Sequence, residues 1–271
     1  MKQYSELTFT DDFMFCKVMS TRLDLCKILL ELLLGIKIRK LLIHESQKVI
    51  EQTYDARGIR LDVYAEDDEN TVYDIEMQTT THRNLPKRSR YYQGMIDLNH
   101  IERGDPFDKL KKTYVIFLCL TDPFKRNLPV YTFENICRED KSVTLDDDTR
   151  KVFINAGGNR AGLTSEMAAF LDYLTDRKTE SDFTKAIQEE VSAVIDNGRW
   201  EVEYMTMRMK IEEERAEARA EGRAEGRAEG RTEGILQTLS GLVSKGLLDL
   251  STAAEQLNMT TEEFMRISSS F

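Results

Sequence analysis

A chain of 271 residues that is 41% hydrophobic can bury one substantial core and carry a small second module. Its formal charge of −10 argues against indiscriminate nucleic-acid binding, which runs on phosphate neutralisation by Lys and Arg. Cys16, Cys26, Cys119 and Cys137 show no CxxC pairing and His44, His82 and His100 have no ligand spacing with them, which argues against zinc and a disulfide framework and leaves buried free thiols.

The opening MKQYSELTF carries no charged-then-apolar leader, and the most apolar run, Ile28 to Ile36, is interrupted by Glu31 and far short of a bilayer span. A soluble, cytoplasmic protein with no membrane partner is therefore expected. Two helices are predicted first, over about Asp11 to Met19 and about Arg22 to Leu34, the second with Leu23, Leu25, Cys26, Leu29, Leu30 and Leu33 at near-helical spacing and Gly35 as its stop. A strand near Arg39 to Ile43 follows.

Two longer strand-like segments come next, GIRLDVYAE over Gly58 to Glu66 and TVYDIEMQT over Thr71 to Thr79. In the first, Ile59, Leu61, Val63 and Ala65 form one face, and Arg60, Asp62, Tyr64 and Glu66 the other, the period of two that a half-buried strand needs. In the second, Tyr73, Ile75 and Met77 oppose Val72, Asp74, Glu76 and Gln78, so Glu76 and Gln78 share a face. Asp67, Asp68, Glu69 and Asn70 make a turn between them. An antiparallel hairpin with a loop of about three or five residues would set Asp62 opposite Glu76, with Cβ atoms roughly 4.5 to 5.5 Å apart. Like charges so placed destabilise a sheet unless neutralised, and a hard divalent cation with oxygen ligands is the obvious candidate. The alternative is a solvated strand face whose carboxylates do nothing.

A helix over about Leu85 to Glu102, with Pro86 in its first turn, and an apolar central strand over Thr113 to Leu120 are predicted next. Between Thr81 and Arg126 ten bases (Arg83, Lys87, Arg88, Arg90, Arg103, Lys109, Lys111, Lys112, Lys125, Arg126) face five acids (Asp97, Glu102, Asp105, Asp108, Asp122), a local balance of 10 − 5 = +5. Such a segment beside a metal strand is what a phosphate-binding enzyme needs, although an ordinary solvated helix face would look the same. LPVYTFENICRED and VFINAGG suggest an edge hairpin, and helices are predicted over about Ser165 to Asp176 and Glu180 to Asn197.

From Arg215 to Gly234 run the tetrads RAEA, RAEG, RAEG, RAEG and RTEG. The period of four stacks like charges at i and i+4 and includes glycines, so a marginal, solvent-exposed helix is expected over residues 201–234. Its Ala and Gly rows would also let another helix approach, which makes a homo-oligomer through residues 201–271 a second expectation. Residues 235–271 hold enough apolar side chains for two or three short helices. The stretch STAAEQLNMTTEEFMRI resembles a helix-turn-helix with Asn258 at the turn. Its second helix carries Glu262 and Glu263 against Arg266 alone, a poor match to a DNA groove, so a protein-contact role is preferred.

TFTDDFMFCKVM, RLDVYAED, YDIEMQ, KRSRYYQGMIDL and TYVIFLCL together resemble the PD-(D/E)xK nuclease family transposases, the Rpn-type recombination-promoting nucleases, over residues 5 to about 160. The resemblance implies an α/β fold, a restriction-endonuclease-like αβββαβ core with a mixed sheet flanked by helices, followed here by a C-terminal helical arm and a small helical tail. Residues 1–200 would be the core, 201–234 the arm and 235–271 the tail. It implies a Mg²⁺ or Mn²⁺ ion held by Asp62 and Glu76, with Gln78 as the third catalytic residue that positions the water, and DNA contacts by Arg88, Arg90 and Tyr92, Arg88 and Tyr92 matching the family's Arg-x-x-x-Tyr pattern. Leu61 stands where that family's name has Pro and Gln78 where it has Lys; a Gln amide can orient a water or phosphate oxygen but brings no charge. Glu31 is a further acid of the type some relatives of this superfamily use. The expected function is a divalent-metal-dependent DNA endonuclease linked to recombination or mobile DNA; the competing expectation is a non-catalytic adaptor that keeps the fold to bind DNA or protein and assembles through its tail.

Overall fold

The computed structural model describes residues 2–50, 58–81 and 84–268; Arg83 and His82 of the expected basic segment lie outside the described residues. The chain forms two compact units, Met1–Tyr204 and Met205–Phe271. Within the first, α1 (Asp12–Thr21) and α2 (Leu23–Leu34) lead into β1 (Leu41–Ile50), β2 (Ile59–Asp67) and β3 (Val72–Gln78), then α3 (Leu85–His100) and β4 (Thr113–Cys119). This is the αβββαβ order. β5 (Val130–Phe133), β6 (Thr149–Asn155), α4 (Ser165–Asp176) and α5 (Asp182–Ile195) complete the unit, and α6 (Gly198–Ser244) follows.

The six strands lie in the order β1-β2-β3-β4-β6-β5, with β3, β4 and β6 parallel to one another and the remaining pairs antiparallel. β4 is buried along its whole length, as its unbroken apolar run requires. One expectation is corrected here. The first strand extends to Ile50 rather than ending at Ile43, because an edge strand tolerates the polar run His44, Glu45, Gln47 and Lys48 that hides it in the sequence. The predicted edge hairpin forms: β5 pairs antiparallel with β6 and closes that edge of the sheet, and β6 in turn lies parallel to β4.

Helix α3 packs Leu85, Tyr92, Met95 and Ile96 onto one face of the sheet, against Tyr64, Val72, Val115, Phe117 and Phe153. Alternate residues Val63, Ala65, Ile75, Ile116 and Leu118 point to the other face and are fully buried as well. Hence β2 and β3 are not half-solvated strands. Their polar rows lie beneath α3, and Asp62, Asp74, Glu76 and Gln78 are all buried. The period of two marked the facing correctly but could not show that both faces are covered.

In the opening turns of α6, Tyr204 is buried against Phe13 (5.2 Å between centroids) and Tyr4 (5.8 Å), while Glu201, Val202 and Glu203 are exposed, and the first unit runs to Tyr204. The tetrads are helical, and their described side chains are solvent-exposed. In the second unit Leu236, Ala253, Ala254 and Phe264 form a small core, with α7 (Leu250–Gln256) and α8 (Thr261–Ser268) joined at Asn258, whose φ of 53° makes the turn. Among the described residues no tetrad side chain contributes to that core. Brief trypsin treatment is accordingly expected to cut within residues 212–234 first, and a chain ending at Arg208 is expected to keep its thermal melting transition. A fall in solution mass on that truncation would assign self-association to the tail. Trypsin resistance of the repeat, or an unfolded shortened chain, would contradict this boundary.

Candidate active site

Strands β2 and β3 pair from Glu66↔Val72 to Val63↔Ile75, and continuing that register by one residue puts Asp62 across from Glu76. The backbone ladder stops just there. On the other side of β2, the β1 register runs unchanged from Ser46↔Val63 to Lys48↔Leu61, but the pair between them, Gln47 with Asp62, is not formed, Gln47 having a φ of 53°. Asp62 thus sits where neither neighbour pairs with it by backbone. Side chains take over: Asp62 N donates to Glu76 Oε1 (3.0 Å), and Met77 N donates to Asp62 Oδ2 (3.0 Å). Each carboxylate satisfies an amide that an unbroken ladder would have used, which fixes both acids in orientation.

Glu76 is 1% exposed and its second oxygen accepts from Arg88 Nη2 (2.6 Å). Arg88 also donates Nη1 to Gln78 Oε1 (3.0 Å) and Nε to Tyr92 Oη (2.9 Å), and stacks near the Tyr92 and Phe117 rings. The Gln78 amide nitrogen donates to Thr80 O (2.8 Å). A neutralising partner for the strand carboxylates was expected to be a cation from solution; the chain supplies part of it from α3. Of the residues expected to contact DNA, Arg88 is bonded to Glu76 and Gln78 and Tyr92 to Arg88, whereas Arg90 is exposed on the same helix.

Asp12, on α1, completes the acidic group. Its carboxylate, that of Asp62 and Cys16 Sγ all lie within 4.8 Å of one another, and the Cys16 thiol donates to Asp62 O (3.3 Å). Asp12 is half-exposed and is 3.5 Å from Arg60. Asp12, Asp62, Gln78 and the basic residues Arg60, Lys87, Arg88 and Arg90 line one open cleft of about 850 Å³, with Tyr91 and Tyr92 on its wall. The expected extra acid, Glu31, does not belong here: it accepts from Ile38 N and pairs with Lys37.

Burial pushes the Asp62 carboxyl well above the ordinary range, reinforced by the Glu76 and Asp12 charges and opposed by the Met77 amide. Asp74, fully buried with both oxygens unpartnered, is raised by burial and by Glu76 and Asp62. Glu76 is raised by burial but drawn back by Arg88 and by the Asp62 amide. Close-set carboxyls whose ionisation is opposed by burial and by one another are a condition that favours binding of a cation. Oxygen donors from Asp12 and Asp62 suit a hard divalent ion, and each Glu76 oxygen keeps a further lone pair beyond its present bond.

Asp12 and Cys16 were not singled out in the sequence. Their i, i+4 spacing aligns them on one helix face, but only the docking of α1 beside β2 brings them to a residue 46 positions away. Arg60, read only as a member of the polar strand row, reaches the cleft from β2. Among the described residues no helix is long and apolar enough to cross a membrane. A family model described as PD-(D/E)XK nuclease family transposase matches residues 9–221. No curated protein and no solved structure matches the chain.

Proposed function

Since the chain belongs to the PD-(D/E)XK nuclease family transposases, we propose that it is a divalent-metal-dependent DNA endonuclease acting in recombination or on mobile DNA. The observation that carries this reading is the reciprocal locking of Asp62, which lines a cleft with a basic rim, to the buried Glu76 beside it. Asp62, Asp12 and Glu76 would hold Mg²⁺ or Mn²⁺. That ion, when bound, supplies Lewis-acid polarisation of the scissile phosphate and lowers the pKa of a bound water. Arg60, Lys87 and Arg90 neutralise neighbouring phosphates from the cleft rim, so a chain of net charge −10 binds DNA through a local field. Gln78, held by Arg88 and Thr80, presents its amide to the attacking water or to a phosphate oxygen. Arg88 does not contact the substrate in this scheme; it sets the charge and rotamer of Glu76 and the orientation of Gln78.

The test is relaxation of supercoiled plasmid by the purified chain with Mg²⁺ or Mn²⁺. Nicking or linearisation that EDTA abolishes is expected. One observation favours a second reading, a non-catalytic DNA- or protein-binding adaptor: the Glu76–Arg88 pair already neutralises one strand carboxylate without a metal. Retention of DNA with no cleavage at any divalent ion concentration would favour that adaptor.

A further inference from the structure

The cation pocket contains one donor that a hard-metal nuclease does not need. Cys16 Sγ shares a common 4.8 Å neighbourhood with carboxylate oxygens of Asp12 and Asp62, so three donors of two chemical kinds converge on one point. They come from two elements of the fold. Asp12 and Cys16 stand one turn apart on α1, and Asp62 is fixed on β2 by the Met77 amide. Asp12 is half-exposed and, with Asp62, faces the open cleft, which provides both an entry path and a free coordination position. Cys16 itself is buried behind them.

We propose that Asp12, Cys16 and Asp62 form a soft-metal site that captures Zn²⁺ in competition with the hard ion used for cleavage. This inference rests on reading Asp12 and Asp62 as the cation pocket. Mg²⁺ takes oxygen ligands in octahedral geometry and has no use for sulfur, so it engages the two carboxylates and leaves the thiol on the Asp62 carbonyl. Zn²⁺ accepts carboxylate oxygen and thiolate together in a four-coordinate site, with water as the fourth ligand. As the Zn–S bond forms, the S–H bond to the Asp62 carbonyl is given up and the thiol proton leaves to solvent; no electron changes hands. Because both ions use Asp12 and Asp62, they exclude one another, and zinc acts as an inhibitor of the nuclease. The search for zinc ligands in the sequence missed this set because it asked for Cys and His spacing, and the partners of this cysteine are carboxylates.

The experiment uses the full-length reduced chain, with Co²⁺ as a spectroscopic stand-in for Zn²⁺ and Mn²⁺ as a stand-in for Mg²⁺. Wild type is expected to show a cobalt-thiolate charge-transfer band that Zn²⁺ abolishes by displacement. Cys16→Ser, which keeps a donor for the Asp62 carbonyl, is expected to lose the band and about ten-fold or more in Zn²⁺ affinity while binding Mn²⁺ within about two-fold of wild type. Cys16→Ala, checked by thermal melting, serves the same purpose if the serine variant is poorly folded. A band that persists in both variants assigns the metal to another cysteine and overturns the proposal. Mn²⁺ binding without any thiolate band overturns it while leaving the nuclease reading intact, and absence of all metal binding overturns both.

Discussion

Asp62→Asn is expected to abolish metal-dependent plasmid cleavage, by about 10³-fold or about 4 kcal/mol of transition-state stabilisation, while the protein melts at or above the wild-type temperature. The amide keeps an oxygen for Met77 N, so the strand junction survives, and it removes a buried charge that Glu76 and Asp12 repel. Asp62→Ala is a poorer probe: it leaves the Met77 amide buried without an acceptor, at about 1–3 kcal/mol, partly offset by the relieved repulsion. The asparagine variant therefore separates chemistry from folding. Cleavage near the wild-type rate would remove Asp62 from the active site, and a large drop in melting temperature would make its charge a structural requirement.

Arg88→Met is expected to cost about 3 kcal/mol of stability at pH 8, since it keeps the stem that packs near Tyr92 and Phe117 but strands the Glu76 carboxylate in a pocket where it is 1% exposed. The loss should shrink toward pH 5. Glu76 sits above its ordinary pKa in the folded chain because burial outweighs Arg88, so between about pH 4.3 and that raised value the folded state binds more protons than the unfolded one. Stability contributed by this group accordingly falls as pH rises through that window. Removing the guanidinium moves the upper limit of the window higher and enlarges the deficit at alkaline pH. Urea titrations at the two pH values read this difference, and Arg88→Lys should recover part of it by restoring charge without the fork. If Arg88 instead serves mainly to bind DNA, the methionine variant will lose DNA affinity with an unchanged, pH-independent stability.

The facing of Asp62 and Glu76 was legible because it depends on local quantities alone: the alternation of two strands and the length of the turn between them fix the register seen at Val63↔Ile75. The αβββαβ order was legible from the family resemblance together with local signals, alternation in β2 and β3, helical spacing in α2 and an unbroken apolar run in β4. What the sequence could not reveal arises from packing between distant elements. The polar row of β2 and β3 looks solvated until α3 is laid over it. Arg88 looks like one base among ten until its helix places it on Glu76. Asp12 and Cys16 look like part of a capped amphipathic helix until α1 docks at the break in the β2 ladder. β1 was underestimated because an edge strand has little need of apolar alternation.

The break in the ladder at Asp62 has a dynamic corollary. In an ordinary sheet an amide proton is held by a neighbouring carbonyl that no ligand can reach, so its exchange with solvent reports on unfolding of the strand. At Asp62 and Met77 the acceptors are the carboxylates of Glu76 and Asp62 themselves. A cation, phosphate or proton that draws either oxygen away removes the protection of one named amide while the rest of the strand stays closed. Deuterium uptake at these two positions is therefore a local gauge of occupancy of the Asp62 and Glu76 carboxylates, legible without substrate and without turnover.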